Sequence, residues 1–503
     1  MSEDKDTIYS HILKYAGLFG SIQALNIGVG LLRNKLVALI LGPLGMGLAS
    51  LFNSTIQLLC NTVNLGIPMS GVREVAVAYE KGSKDDLARA VANVRTICGI
   101  MAVVGMLLCV LLARLLDRWT FSWGDHTLHF VLLSPTVGMT IMTGGEMAIL
   151  KGMQRLKALA RISVYQVFAV LFLSVPMYYV WGQAAIVPVI SLVAFSQLML
   201  TLWVSWKWRK ERIDSEEAAD DGNESKMTLV QSVRLHLKSV DMRLVRVGSA
   251  FVLSGVMASG ADFLIRAYIN KVSSLDDVGL FNAGFVLLNL YAGMVFASME
   301  TDYYPRLSSM SVNDNLAEMR GIVNRQVEAT MLMIAPMLVA LMVMMPIVMP
   351  VLYSNEFIPV VGMVQIGLLC MYFRAAYLPV EYISLARASS HIYLIQECVS
   401  AVLLAVFVVF GYLQWGLWGA GVGLVAAYLV ELLFVLVYSY VHFDYFMSRE
   451  ALVHLLVQLL IGMATYGVVS LADSALYWAG GIGCTLLSLC YSVAVMRKAK
   501  HAG

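Results

Sequence analysis

Residues 31–48 read Leu31-Leu-Arg-Asn-Lys-Leu-Val-Ala-Leu-Ile-Leu-Gly-Pro-Leu-Gly-Met-Gly-Leu48. Arg33 and Lys35 stand late in an apolar run, which a Gly-Pro-Leu-Gly sequence then closes. A charge at the centre of a spanning helix costs about 2.5–3.5 kcal/mol on insertion scales, so such residues face a partner or a watery cavity. About eight residues separate Arg33 from the Gly42-Pro43 turn, which places it roughly 12 Å inward at 1.5 Å per residue. Two readings compete. Either the cations snorkel to the headgroups, the stronger case for Lys35, or they form a cationic wall for a phosphate or acidic sugar, where the planar fork of Arg33 suits a pyrophosphate.

The rest of the chain has the same character. Of 503 residues, 59% are hydrophobic and 14% charged, against about 25% charged in soluble domains. Apolar runs of twenty or more residues recur, and the alternating pattern of a membrane β-barrel is absent. The fold class is an all-α polytopic membrane protein. Its helix cores number about fourteen, near 13–40, 47–72, 91–115, 128–150, 160–181, 184–206, 247–270, 279–303, 326–353, 358–381, 391–412, 416–440, 451–472 and 475–496. The acidic start, Met1-Ser-Glu-Asp-Lys-Asp, lacks a basic n-region, so no removable signal peptide is expected. The seven cysteines all lie in apolar segments without a CxxC pair, and packed thiols are expected over disulfides or a metal site.

Lys and Arg sort by loop. With the N-terminus inside, only Arg33, Lys35, Arg114, Arg118, Arg266 and Lys271 of the 35 basic residues fall on the outer half. The positive-inside rule then places both termini in the cytoplasm. The one long connection follows the sixth span. It opens with the acidic run 214–225, read as a solvated linker, and continues over 228–247 as an amphipathic helix on the inner leaflet. The expected domains are residues 1–207, a six-helix lobe; 208–246, a cytoplasmic linker with that helix; 247–441, a second six-helix lobe; and 442–503, an appended helix pair with a cytoplasmic tail. Arg33 precedes Gly47-Leu48 much as Arg266 precedes Gly279-Leu280, and an aromatic-Asn pair follows each (Phe52-Asn53, Phe281-Asn282). That suggests parallel repeats about an axis along the membrane normal.

Further intramembrane charges are candidates. Asp262 and Arg266, at i,i+4, can pair on one helix face; a structural pair and a site that swaps partners during transport fit equally. Arg374 and Glu381 share the tenth span, and Glu146, Glu300, Asp302, Glu397 and Glu431 lie in other spans. Each carboxylate serves helix packing or carries a coupling proton, since burial raises a carboxyl pKa. Gly42-Pro-Leu-Gly-Met-Gly47 is no dinucleotide loop, because no strand precedes it. Without a GxxxxGK[ST] motif the chain has no P-loop for ATP, and no cofactor is expected. Transport would draw on an ion gradient, the membrane potential or the substrate gradient. A net charge of +2 gives no field for nucleic acid.

These residues also carry a resemblance. Lys35-Leu-Val-Ala-Leu-Ile-Leu-Gly-Pro-Leu-Gly-Met-Gly-Leu48, Asp262 with Asp277-Val-Gly-Leu-Phe-Asn-Ala283, Tyr304-Pro-Arg-Leu-Ser308 and Leu352-Tyr-Ser-Asn-Glu-Phe357 resemble the polysaccharide-transporter (O-antigen flippase) branch of the multidrug/oligosaccharidyl-lipid/polysaccharide exporter superfamily. The resemblance implies a MATE-like fold of two six-helix lobes and alternating access around a cationic cavity. It implies a flippase for undecaprenyl-pyrophosphate-linked oligosaccharide in a bacterial cytoplasmic (inner) membrane, acting without enzymatic chemistry. The partners implied are the lipid-linked oligosaccharide, membrane lipid, a polysaccharide polymerase and a chain-length regulator. Arg33 and Lys35 match the family's basic end of the first helix, and Asp262 its acidic position on the seventh. Arg266 and Arg374 are added on burial grounds alone. The alternatives are an ion-coupled multidrug or cation antiporter on the same architecture, and a membrane polysaccharide polymerase, for which the outer loops are short.

Overall fold

In the computed structural model, residues 2–502 are described except 65, 81–83, 122, 217–241, 311–315, 388–389 and 472. The side chains of 2–21, 67–69, 84–85, 208–216, 242–251, 390, 499–502 and most of 291–310, Glu300 among them, also lie outside the description. The expected amphipathic helix at 228–247 falls largely there. All regular structure among the described residues is helical.

The helices are α1 (Ser2–Val63), α2 (Ile67–Glu80), α3 (Lys84–Thr120), α4 (Thr127–Gly152), α5 (Leu156–Trp181) and α6 (Ile186–Glu216). After the linker come α7 (Met242–Val272), α8 (Leu275–Met310), α9 (Leu316–Leu352), α10 (Val361–Gly367), α11 (Cys370–Ala386), α12 (Ser390–Phe443), α13 (Arg449–Val469) and α14 (Ser474–Ala502). Nine described segments are long and apolar enough to cross a membrane. Three of them, Ile22–Val63, Leu156–Lys207 and His391–Phe443, run 42, 52 and 53 residues, about twice the 20 that one crossing needs. Counting these as pairs, and adding α8 and the bent span from Asn355 to Ala386, gives the fourteen crossings read from the sequence.

The Gly-Pro-Leu-Gly stretch was expected to be a loop between spans. It is a break of one residue. Gly42 takes φ 64°, ψ −172° inside an otherwise helical α1. Only glycine enters that region readily, and Pro43 then opens the next arm, where a missing N–H costs nothing. Trp415 and Gly416, the latter at φ 60°, divide α12 in a two-residue break. The tenth span is also broken: the 3₁₀ turn Asn355–Val360 leads into α10, and α11 follows at a bend of 50°.

Two compact units emerge, Met1–Gly45 with Leu51–Val256, and Met46–Ser50 with Met257–Gly503. In the first, α3 and α4 approach through small residues. A Cβ on Gly145 would fall 2.3 Å from Cys98 Sγ, the close approach typical of membrane helix pairs. At the α3–α4 turn Phe52, Phe121, Trp123, His126, His129 and Phe130 stack with ring centroids 4.2–6.2 Å apart. Exposed Trp119, Trp123, Tyr179 and Trp181 ring one end of this unit, and exposed Trp203 and Trp206 the other. Such belts mark the two membrane interfaces.

In the second unit, the arms of α12 lie backbone to backbone: a Cβ on Gly411 would sit 2.1 Å from Gly419 O. A Cβ on Gly47 would sit 2.0 Å from Leu275 O and 2.9 Å from Gly279 N, so the two Gly-Leu motifs of the sequence repeat meet within this unit. The terminal pair α13–α14 is well integrated. Pro346 removes the N–H that would bond Met342 O inside α9. Gln365 Nε2 of α10 donates to that carbonyl at 3.1 Å, and Tyr477 Oη of α14 donates to the next, Val343 O, at 2.9 Å. At the other end of α9, Arg320 pairs with Asp444. Asn324 Oδ1 accepts from Tyr445 Oη and Ser448 N, and Glu328 accepts from Ser448 Oγ at 3.0 Å. Those partners form the α12–α13 connection, and Ser448 also caps α13 by accepting from Ala451 N.

Candidate functional site

Arg33 of α1 is half-buried against α5. Its Nε donates to Ser174 Oγ at 3.0 Å; Ser174 is fully buried and donates to Val170 O at 2.6 Å. Tyr178, one turn beyond Ser174 and 2% exposed, is within electrostatic reach of the guanidinium. Two turns earlier on α1, Asn26 Nδ2 donates to Ser163 Oγ of α5 at 2.6 Å, so the α1–α5 seam is polar at two levels. Among the described residues no carboxylate lies within ion-pairing distance of Arg33. Its two terminal nitrogens are outside the set of enclosed, unpartnered atoms. They are open donors on a fixed stem. Lys35 is half-buried two residues on.

Arg266, the corresponding cation of the second unit, is occupied. It is 5% exposed, ion-paired through Nη1 with Asp262, and donates from Nη2 to Asn282 Oδ1 at 2.9 Å. The i,i+4 pairing open to these residues by sequence is made. Phe285 lies beneath the guanidinium at 5.9 Å, and its Nε is enclosed with no acceptor.

Arg374, half-buried, lies in the same unit. Nη1 donates to Asn289 Oδ1 at 2.9 Å, Phe296 faces the guanidinium at 5.3 Å, and Tyr428 is a hydrogen-bond partner. Three carboxylates share its surroundings: buried Glu381, buried Glu431 and half-buried Glu397. Glu431 accepts from Tyr377 and Ser400, and Glu397 from Tyr393 at 2.8 Å. Three carboxylates thus lie around one cation.

Glu146, 2% exposed, is held by Arg95 on both oxygens. Nε pairs with Oε1, Nη2 donates to Oε2 at 2.9 Å, and Ser205 Oγ donates to Oε2 at 2.9 Å. The side chain of Glu300 lies outside the description. The structure therefore gathers Asp262 with Arg266, and Glu381 with Arg374, in the second unit, while Arg33 and Glu146 occupy separate places in the first. Ser174 and Tyr178, whose i,i+4 spacing across Pro176 was the available signal, and Arg95 are not among the residues singled out by sequence. All seven cysteines are free thiols, four of them buried. Among the described residues no group of three or more His, Cys, Asp or Glu is arranged for a metal.

The fold has solved relatives. The structure matches the lipid II flippase MurJ in an inward closed conformation with a TM-score of 0.70 at 14% identity, covering 96% of this chain and 99% of that one. It matches an inward-facing multidrug resistance MATE transporter of the MOP superfamily at 0.67 and 14%, covering 83% and 94%. It matches a MOP superfamily transporter from Pyrococcus furiosus at 0.58 and 12%, covering 86% and 96%. By sequence, no curated protein matches the chain. Residues 12–311 match the family described as polysaccharide biosynthesis protein. That match covers more than half of the chain, and on this ground the protein belongs to the polysaccharide biosynthesis family, with a fold like those of the solved structures it matches.

Proposed function

We propose that the chain is a flippase that moves an undecaprenyl-pyrophosphate-linked oligosaccharide, an O-antigen or similar surface-polysaccharide repeat unit, across a bacterial cytoplasmic membrane by alternating access. The observation that carries this reading is Arg33: a half-buried guanidinium fixed by Ser174, with open terminal nitrogens and no carboxylate partner among the described residues. A pyrophosphate head must cross about 30 Å of hydrocarbon, and a fork of aligned donors in a low-dielectric setting offsets its charge. Lys35 adds a second cation, while Asp262 and Glu381 supply ion coupling. Both termini face the cytoplasm in this proposal. The family description and the lipid-flippase fold support the reading.

Deleting the gene is expected to trap an undecaprenyl-linked repeat unit on the cytoplasmic face. The wild-type chain restores surface polysaccharide and Arg33→Ala does not. Full assembly by Arg33→Ala at normal protein level would remove Arg33 from this role. A second reading, an ion-coupled cation antiporter, draws on the Glu381, Glu397 and Glu431 carboxylates around Arg374. Ion-driven efflux of a cationic dye from proteoliposomes, with no glycan phenotype on deletion, would favour it.

A further inference from the structure

A groove of about 530 Å³ opens on the face of α3, lined by Arg95, Thr96, Gly99, Ile100, Val103 and Val104. It exists because residue 99 has no side chain: a Cβ there would meet nothing within 4 Å. Four of its six lining residues are Gly, Ile or Val, and Ile100, Val103 and Val104 are exposed, as suits a surface that faces acyl chains.

Arg95 stands at one end of the groove. The Glu146 carboxylate and Ser205 occupy its Nε and Nη2. Nη1 makes no hydrogen bond among the described residues and is not enclosed. The ion pair therefore fixes the guanidinium of a residue that lines the groove and leaves Nη1 uncommitted. Two observations give its depth. Trp119, in the exposed belt at the far end of α3, is 24 residues on, about 36 Å at 1.5 Å per residue. Ser205, in contact with Arg95 at 3.4 Å, lies between Trp203 and Trp206 of the opposite belt. Arg95 thus sits at headgroup level, and residues 99–104 run from it into the hydrocarbon. Exposed Lys151 is five residues beyond Glu146 on α4, adding positive charge at the same interface.

We propose that this groove holds one anionic phospholipid of the leaflet on that side, with its phosphate on Arg95 Nη1 and one acyl chain along residues 99–104. A charged donor at headgroup depth beside an apolar notch complements a phosphodiester followed by a hydrocarbon chain. Past Arg95 and Thr96 the described lining is apolar, which suits an acyl chain better than a sugar.

The test uses the full chain in detergent and in nanodiscs. Native mass spectrometry with added phosphatidylglycerol is expected to show a one-lipid adduct that phosphatidylcholine does not give. Gly99→Leu fills the notch without a clash and is expected to lose that adduct while its lipid-free melting temperature is unchanged. Arg95→Gln with Glu146→Gln keeps a neutral hydrogen-bonded pair, removes the charge, and is expected to lose the preference for phosphatidylglycerol. Equal adducts in wild type and Gly99→Leu, or equal adducts with both lipids, overturn the proposal. Displacement of phosphatidylglycerol from the wild type by equimolar undecaprenyl phosphate also overturns it, because the occupant would then be an isoprenoid.

Discussion

Arg33 reaches across from α1 to donate a hydrogen bond from Nε to Ser174 Oγ on α5 at 3.0 Å, and Ser174 Oγ in turn donates to Val170 O. The serine aims the guanidinium. Ser174→Ala removes one hydrogen bond, worth about 1 kcal/mol, and is expected to lower surface-polysaccharide assembly with little loss of protein. Ser174→Thr should restore it. Equal glycan export by wild type and Ser174→Ala, at matched protein level, would show that Arg33 needs no such aim.

Arg95→Ala leaves the fully buried Glu146 carboxylate with only Ser205 as a donor. Stranding a buried charge costs about 3–5 kcal/mol, and the partial exposure of Arg95 places this case at the low end. The expected outcome is a clear drop in the melting temperature of the purified protein, with Glu146→Gln milder than Arg95→Ala.

A methyl group at residue 411 would fall 2.1 Å from Gly419 O on the facing arm of α12. Overpacking of this kind costs about 1–3 kcal/mol. Gly411→Ala should destabilise the protein, whereas Gly28→Ala, with nothing within 4 Å of the added atom, should not. Thermal unfolding of the two variants side by side checks the contrast.

Tyr477→Phe leaves the Val343 carbonyl beside Pro346 without its donor from α14. Hydrogen bonds between membrane helices average about 0.6 kcal/mol, so a small destabilisation is expected, together with faster proteolysis of the α13–α14 pair. A Tyr477→Phe protein cleaved at the wild-type rate would count against a tether through this hydroxyl.

His126, at the α3–α4 turn, stacks between Phe121 and Trp123 with Nδ1 3.2 Å from His129 Nδ1. Burial, and then His129, hold its imidazole below the ordinary value of 6.5; Asp117 and Asp125 oppose this weakly. Above pH 6.5 neither the folded nor the unfolded chain protonates this group. As the pH falls below 6.5 the unfolded chain takes the proton first, so stability is lost down through the folded pKa. Melting curves between pH 7.5 and about pH 5 should therefore fall more steeply for the wild type than for His126→Gln.

Hydropathy and lysine-arginine sorting made the helix count legible, because a span must be about twenty apolar residues whatever its neighbours. The connections were less legible. A break such as Gly42 needs one residue, and nothing local separates it from a loop. Of the site, the Asp262–Arg266 pair could be read from its spacing, because both residues share a helix. Arg33 with Ser174 and Arg95 with Glu146 join positions 141 and 51 residues apart; only packing brings such partners together. The carboxylates around Arg374 come from α11 and both arms of α12, so single-span inspection found each one and not the group.

The connection from Asp444 to Ser448 has a consequence for how short a chain of this fold can be. Arg320, Asn324 and Glu328 of α9 spend their hydrogen bonds on that connection, and Val343 O near Pro346 takes a donor from α14. Cutting the chain after α12 would bare three polar side chains and a carbonyl on one helix of the second unit. A twelve-span protein of this design therefore needs a differently written α9, and the last two helices are a packed part of the second unit rather than a detachable tail.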